Sequence, residues 1–198
     1  MKYIAHRGLD KHKYRENSLD AFKYCFNCNY IDGIELDIRL TKDKKIVISH
    51  DEFDGIYRIS DTKYKKLKVD LLEDVLKIAN NKIILIDIKD SNVIETLYIL
   101  LSKYKLNYYI SSFNYEVINN FNSNYKKGLI IGFMINIDKI KNNFTINSIH
   151  YNLINRISMR KEIFIWTVNS KKILNIIKKH GNDFYIITDK AYLLQDKK

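Results

Sequence analysis

The sequence predicts an α/β fold, on three observations. Short apolar or β-branched runs alternate with longer amphipathic ones along the whole chain. No long antiparallel section breaks the alternation, and neither a low-complexity linker nor an internal repeat of about 20 to 50 residues interrupts it. Repeated βα units of this kind either close into a (β/α)8 barrel or lie open as a doubly wound sheet. An open nucleotide-binding sheet would carry a glycine-rich loop after its first strand. Here "HRGLDKHKYREN" has a single glycine in neither dinucleotide nor P-loop spacing.

Strands are expected where β-branched and aromatic residues cluster between turn residues: Lys2–His6, Gly33–Leu40, Lys82–Lys89, Asn107–Phe113, Lys127–Phe133, Thr145–Ile149, Glu162–Thr167 and Asp183–Ile187. A hairpin arm is expected at Lys45–Ser49. Helices should occupy about 18–30, 71–80, 91–104, 114–124, 136–142, 152–160 and 170–181. Ser18, Ser91, Asn114 and Ser170 stand where N-caps belong, because their side-chain oxygens can accept the first free backbone N–H groups of a helix.

At 198 residues, the chain is expected to form one domain over 1–198. Hydrophobic residues make up 46% of it, enough to bury a core, and the 29% charged content is ordinary for a globular protein. Basic residues outnumber acidic ones by 34 to 23, a net charge of +11 that favours phosphates, nucleic acid or anionic lipid. The lysines are scattered, as in "KYKKLK", and no basic tract with interleaved aromatics marks a nucleic-acid groove, so no specific nucleic acid is expected. Apolar runs such as "LIIGFMINI" are too short to span a bilayer, and "MKYIAHRG" leaves no room for an export segment; a cytoplasmic setting is expected. Cys25 and Cys28 form a lone C-x-x-C without the second pair a zinc site needs, and are expected to be ordinary helix residues.

The charged positions carry the chemistry. In "GIELDIRL", Glu35 and Asp37 face one way while Ile34, Leu36 and Ile38 face the other, and in "KIILIDIKD" Asp87 and Lys89 share a face. In a barrel the polar face points inward, where several carboxylates would cost several kcal/mol per ion in desolvation and repulsion unless a cation joined them. Carboxylate oxygens without cysteine suit a hard ion, Mg²⁺ or Ca²⁺. The competing reading of the same spacing is a buried ion pair of Glu35 or Asp37 with Arg39 or Lys89. His6 in "AHRG" and His50 in "ISHDE" end strands and fit a paired acid and base, since imidazole titrates near neutral pH.

Taken together, "HRG", "ENS", "GIELDIRLTKDKKIVISHDE", "LLEDVL", "DIK", "SF", "WTVN" and "ITDK" resemble the glycerophosphodiester phosphodiesterases, in family order across nearly the whole chain. That family shares a barrel with the phosphatidylinositol-specific phospholipases C, so the resemblance implies a compact (β/α)8 TIM barrel. It also implies metal-dependent hydrolysis of a small-molecule glycerophosphodiester to sn-glycerol 3-phosphate and an alcohol. On this resemblance Glu35, Asp37 and Asp87 would bind one divalent cation, Mg²⁺ or Ca²⁺; His6 and His50 would be acid and base; and Arg7 and Lys89 would hold the phosphate. Glu16 would orient Arg7 or the metal shell, and Trp166 would line the pocket. Asp87 stands where the family usually has glutamate; the related venom-type phospholipases D, which the site also resembles, have aspartate there. Residues 52–70 stand where the family usually has a larger insertion, with Arg58 matching its usual arginine after the His–Asp pair. Two rivals follow: a lysophospholipase D or sphingomyelinase D-like enzyme in peripheral contact with lipid, and a catalytically silent phosphate- or nucleic-acid-binding module. The oligomeric state is left open.

Overall fold

A computed structural model describes residues 1–10, 13–132, 144–156 and 162–194, with the Asn147 side chain left out. The strands, in chain order, are β1 (Lys2–Ala5), β2 (Gly33–Leu40), β3 (Ile46–Ile48), β4 (Phe53–Asp54), β5 (Tyr57–Arg58), β6 (Ile83–Ile88), β7 (Asn107–Ser112), β8 (Lys126–Ile131), β9 (Ile146–His150), β10 (Glu162–Trp166) and β11 (Phe184–Thr188). The helices are α1 (Leu19–Asn27), α2 (Leu72–Ile78), α3 (Ile94–Leu101), α4 (Tyr115–Asn120), α5 (Lys171–Lys178) and α6 (Ala191–Leu194). Eight of the strands run parallel in the order β1-β2-β6-β7-β8-β9-β10-β11, and β1 pairs with both β2 and β11, which closes a (β/α)8 barrel. β3 adds antiparallel to the far end of β2, as the expected hairpin arm.

Closure divides the apolar residues into two sets. Ile34, Leu36 and Ile38 pack outward against the helix layer, with Phe22, Val75, Leu97 and Ile110 among their companions. Inside the barrel lie Ile4, Ile83, Leu85, Tyr109, Ile146, Phe164, Tyr185 and Ile187. Phe164 stacks on Tyr185 at 4.3 Å between centroids, and such fully buried rings contribute about 1.5–3 kcal/mol each. At the same end of the barrel, Lys126 Nζ donates to Glu162 Oε1 at 2.9 Å, and the Tyr109 and Tyr185 hydroxyls reach the same oxygen at 3.4 and 3.3 Å. Gly128 permits the close packing of β8 on β9, because a Cβ there would sit 2.1 Å from the Ile146 carbonyl oxygen.

Three of the four expected caps form: Ser18, Asn114 and Ser170 accept backbone N–H groups at the starts of α1, α4 and α5. Ser91 does not cap; it opens a 3-10 turn, Ser91–Val93, that runs into α3. The helix expected at 18–30 stops at Asn27, where Lys82 Nζ reaches over to take the Cys25 carbonyl at 3.0 Å and the Cys28 carbonyl at 2.5 Å. Cys25 therefore lies in α1 and Cys28 just beyond it, and both are free thiols. Strand ends differ from expectation by one or two residues; β1 ends at Ala5 because His6–Gly8 turns out of the sheet. The helix expected at 136–142, and Phe133 of the fifth strand, lie outside the described residues. Within 152–160 the described part is a 3-10 helix, Tyr151–Arg156, and 157–160 lie outside. Residues 52–70 form the β4–β5 hairpin and two 3-10 turns anchored by buried Ile59. No helix among the described residues is long and apolar enough to cross a membrane.

Candidate active site

The chemistry-bearing residues meet at the C-terminal ends of the strands, the face where barrel loops gather. Parallel register sets Asp37 of β2 directly opposite Asp87 of β6, and Glu35 lies two residues earlier on the same inward face. Ligand oxygens of Glu35, Asp37 and Asp87 lie within 4.8 Å of one another, and all three residues are buried. One oxygen of this cluster's residues, Asp87 Oδ1, is buried without a hydrogen-bond partner among the described residues. A buried carboxylate oxygen left unpaired is costly, so its position among two further carboxylates marks a place that could hold a metal ion.

The turn after β1 supplies the second group of residues. Arg7 has φ 51° and Gly8 φ 71°, a left-handed path on which a Gly8 Cβ would strike the Phe22 ring at 2.8 Å. This turn aims the Arg7 backbone N–H at Glu35 Oε2, 2.9 Å away, and brings Arg7 Nε within 3.2 Å of Asp37 Oδ2. Arg7 Nη1 donates to Glu16 Oε1 at 3.0 Å, so Glu16 contacts Arg7 rather than the carboxylate cluster. Asn17, also left-handed, donates its amide N–H to the Arg7 carbonyl and its side-chain N–H to Asp37 Oδ2, both at 2.8 Å.

Of the ion pairs expected as the alternative to a metal, Lys89 forms one and Arg39 does not. Lys89 Nζ lies 2.9 Å from Asp37 Oδ1 and 2.6 Å from Asp87 Oδ2. Arg39 turns instead to Asp90 Oδ1 at 2.8 Å and to the His50 carbonyl. Burial first, then the neighbouring Asp37, pushes the Glu35 carboxyl up to about 8. Burial likewise raises Asp87, to about 6, against the opposing pull of Lys89. For Asp37 burial is outweighed: Lys89, the Asn17 amide and Arg7 together hold its carboxyl below the usual range. One cluster thus contains two carboxyls inclined to keep a proton and one inclined to lose it.

His6 and His50 line the same cavity of about 230 Å³ as the three acids, Arg7, Lys89 and Trp166. His6 Nδ1 meets Asp189 Oδ1 at 2.7 Å, leaving Nε2 4.0 Å from Glu35 Oε2. Asp189 is fixed in turn by Asn169, whose amide donates to Oδ2 at 2.6 Å and whose oxygen accepts from the Asp189 backbone N–H at 2.9 Å. Burial alone would lower the His6 pKa, but the hydrogen bond to Asp189 and the charges of Glu35 and Asp189 raise it. His50 Nδ1 contacts Asp51 Oδ1 at 2.9 Å, and its side chain is 42% exposed, so this histidine faces solvent where His6 does not. Trp166 stands edge-on to Phe113 at 5.9 Å, its indole nitrogen buried and unpaired.

All nine residues singled out in the sequence gather around this cavity, eight lining it and Glu16 contacting it through Arg7. Asn17, Asn169 and Asp189 are the supporting residues that went unassigned. Each sits inside a motif already noticeable in the chain, "ENS", "WTVN" and "ITDK", but its role depends on a partner far away in sequence.

Fold and site together define a (β/α)8 barrel with a buried carboxylate cluster, two histidines and two cationic side chains at its C-terminal mouth. The model of the glycerophosphoryl diester phosphodiesterase family matches residues 6–65. A glycerophosphodiester phosphodiesterase from Bacillus altitudinis is 33% identical over 116 residues, 46% of this chain and 46% of that protein. A human lysophospholipase D, GDPD1, is 30% identical over 148 residues, 59% of this chain and 46% of that protein. The matched stretches therefore span less than half the length of these curated relatives. The crystal structure of a glycerophosphodiester phosphodiesterase from Thermotoga maritima superposes with a TM-score of 0.82 at 27% identity, covering 96% of this chain and 94% of that one. Over residues 6–65 the chain is thus similar to the glycerophosphodiester phosphodiesterases, and its barrel has the fold of one of them over nearly its whole length.

Proposed function

We propose that residues 1–198 form one catalytic domain, a phosphoric diester hydrolase that cleaves glycerophosphodiesters to sn-glycerol 3-phosphate and an alcohol. One divalent cation, Mg²⁺ or Ca²⁺, would be held by Glu35, Asp37 and Asp87. The observation that carries the reading is the unpaired Asp87 Oδ1, buried beside two further carboxylates in a cavity that also holds both histidines. An all-carboxylate donor set fits a hard cation, which when bound would supply positive charge to offset that of the phosphate.

The remaining chemistry falls to side chains of the chain. Arg7 and Lys89 hold the substrate phosphate and offset the charge that grows on its oxygens as the bond breaks. Glu16 keeps the Arg7 guanidinium in position through their 3.0 Å contact. His6 suits the base that takes a proton from the attacking hydroxyl, whether from water or from the substrate's neighbouring carbon. Asp189 holds its Nδ1–H and leaves Nε2 free for that proton. His50, nearer solvent, suits the acid that protonates the departing alcohol, since an alkoxide leaves poorly near neutral pH. Trp166 and Phe113 wall the cavity. The reading is tested by incubating the protein with glycerophosphocholine. Glycerol 3-phosphate should form, and EDTA, His6→Ala or His50→Ala should each abolish it; activity indifferent to all three would refute the reading.

A lipid substrate is favoured by one separate observation. The β4–β5 hairpin at the mouth presents Phe53 at 52% exposure and Ile56 at 86%, apolar side chains set in a basic chain. Cosedimentation with anionic vesicles, lost in Ile56→Asp, together with choline release from lysophosphatidylcholine, would support action on a membrane-held diester.

A further inference from the structure

Two arginines stand apart from the proposed chemistry, Arg39 on β2 and Arg58 on β5. Both line a second cavity, of about 410 Å³, that lies against the first and shares Lys89 with it. The cavity is open between the turn that follows β2, the β4–β5 hairpin and the loop after β6. Arg39 and Arg58 are each matched by a carboxylate on the same wall, Asp90 at 2.8 Å and Glu52 at 2.7 Å. Lys42 and Lys44 also line it, and among the described residues neither has a carboxylate partner. The acid between them in sequence, Asp43, is turned away: its Oδ1 accepts from the Thr41 hydroxyl at 2.8 Å and the Tyr64 backbone N–H at 2.9 Å, and it does not line the cavity. Asp61 lies 3.8 Å from Arg58 and is likewise off the wall. Five residues with cationic side chains line this space against two with carboxylates, and of the five Lys89 is already paired with Asp37 and Asp87.

A phosphodiester held at Lys89 has two ester arms, and two unlike cavities meet at that lysine. The first is lined around its acids by hydroxyls and rings, Ser111, Ser148, Phe113 and Trp166, which suit a neutral glycerol. The second carries an excess of positive charge with two ammonium groups unmatched, which suits an anion. We propose that this second cavity is the subsite for the departing alcohol and selects diesters whose alcohol carries a further phosphate. The inference deepens the diesterase reading and rests on it for the reaction, though not for the binding of an anion.

The test compares kcat/KM for bis(glycerophospho)glycerol, whose alcohol bears a second phosphate, with that for glycerophosphocholine, whose alcohol bears a cation. The wild type should prefer the first by about tenfold at low salt, and Lys42→Glu with Lys44→Glu should erase the preference while leaving the glycerophosphocholine rate within about twofold. An equal preference in both proteins, or a wild-type preference for the choline ester, overturns the subsite. A second arm needs no turnover: calorimetric titration with inorganic phosphate in EDTA should show two classes of site in the wild type and one in the double variant. One class in both proteins overturns the proposal. Failure to hydrolyse either diester, with two classes of phosphate site retained, would count against the reaction and in favour of the anion cavity.

Discussion

Arg39 holds His50 by its backbone. Nε and Nη2 of the guanidinium both donate to the His50 carbonyl oxygen, at 3.2 and 2.9 Å, while Nη1 is fixed to Asp90 Oδ1 at 2.8 Å. The chain beneath the His50 imidazole, the proposed acid, is thus clamped from the neighbouring strand. Arg39→Ala should lower kcat by about 10- to 100-fold with little change in KM, since a small misplacement of a proton donor costs that much. Arg39→Lys should recover little, because an ammonium cannot reproduce the forked contact. Steady-state kinetics on one diester decides this, and a Lys variant with wild-type kcat would show that charge alone suffices.

Asp189 acts on the other histidine. Its contact with His6 Nδ1 at 2.7 Å selects the tautomer that leaves Nε2 facing the cavity. Asp189→Asn keeps the shape but can donate where the carboxylate accepted, and should cost about 100-fold or more in kcat while the fold stays intact by circular dichroism. Asn169→Ala, which loosens Asp189 without touching His6, should cost less. The reverse order of severity would argue against this relay of hydrogen bonds.

Asp87→Asn removes the charge of one proposed metal ligand, the residue whose own Oδ1 is unpaired. Affinity for Mg²⁺ or Ca²⁺, read by calorimetry, should fall at least about tenfold, and activity with it. An unaltered affinity would place the ion elsewhere.

Cys25 gives a pH dependence away from the site. Burial, then Cys28 and Asp10, pushes its thiol from 9.0 up to about 12. The folded chain therefore keeps a proton that the unfolded chain gives up, so this contribution to stability is complete below about pH 9 and declines as pH rises toward 12. Urea midpoints should drop across that range, and less so in Cys25→Ala once its lower starting stability is allowed for. Thiol reagents at pH 8 should label Cys28 in the native protein and Cys25 only after unfolding.

Glu162 offers the converse case, a charged cluster with no catalytic part. It gathers Lys126, Tyr109 and Tyr185 at the end of the barrel remote from the mouth. Glu162→Ala should lower stability by about 1 kcal/mol, a modest figure because part of the cluster is open to solvent, and leave kcat unchanged.

The inward set of β2 was legible because side-chain alternation is local: seeing Ile34, Leu36 and Ile38 on one face places Glu35 and Asp37 on the other. The meeting of Asp37 with Asp87 is not legible in either segment, since it depends on strand register and register depends on closure of the whole sheet. The same limit explains Asp189 and Arg39. Their partners, His6 and the His50 carbonyl, are respectively 183 and 11 residues away, and no period within either segment points to them. Ser91 fails as a cap for a nearer reason: it lies inside the 3-10 turn Ser91–Val93, and α3 starts only at Ile94.

Lys89 bears on how the chain matures. Its ammonium lies between Asp37 and Asp87, with Arg7 against Asp37 from the other side. The acidic cluster therefore carries its own counter-charges from the moment the barrel closes. Assembly of the protein need not wait for a metal supply, and a chelator should silence the enzyme without unfolding it. If the cluster takes up the proposed cation, loading would be a late and reversible step in which the ion displaces an internal placeholder instead of nucleating the fold.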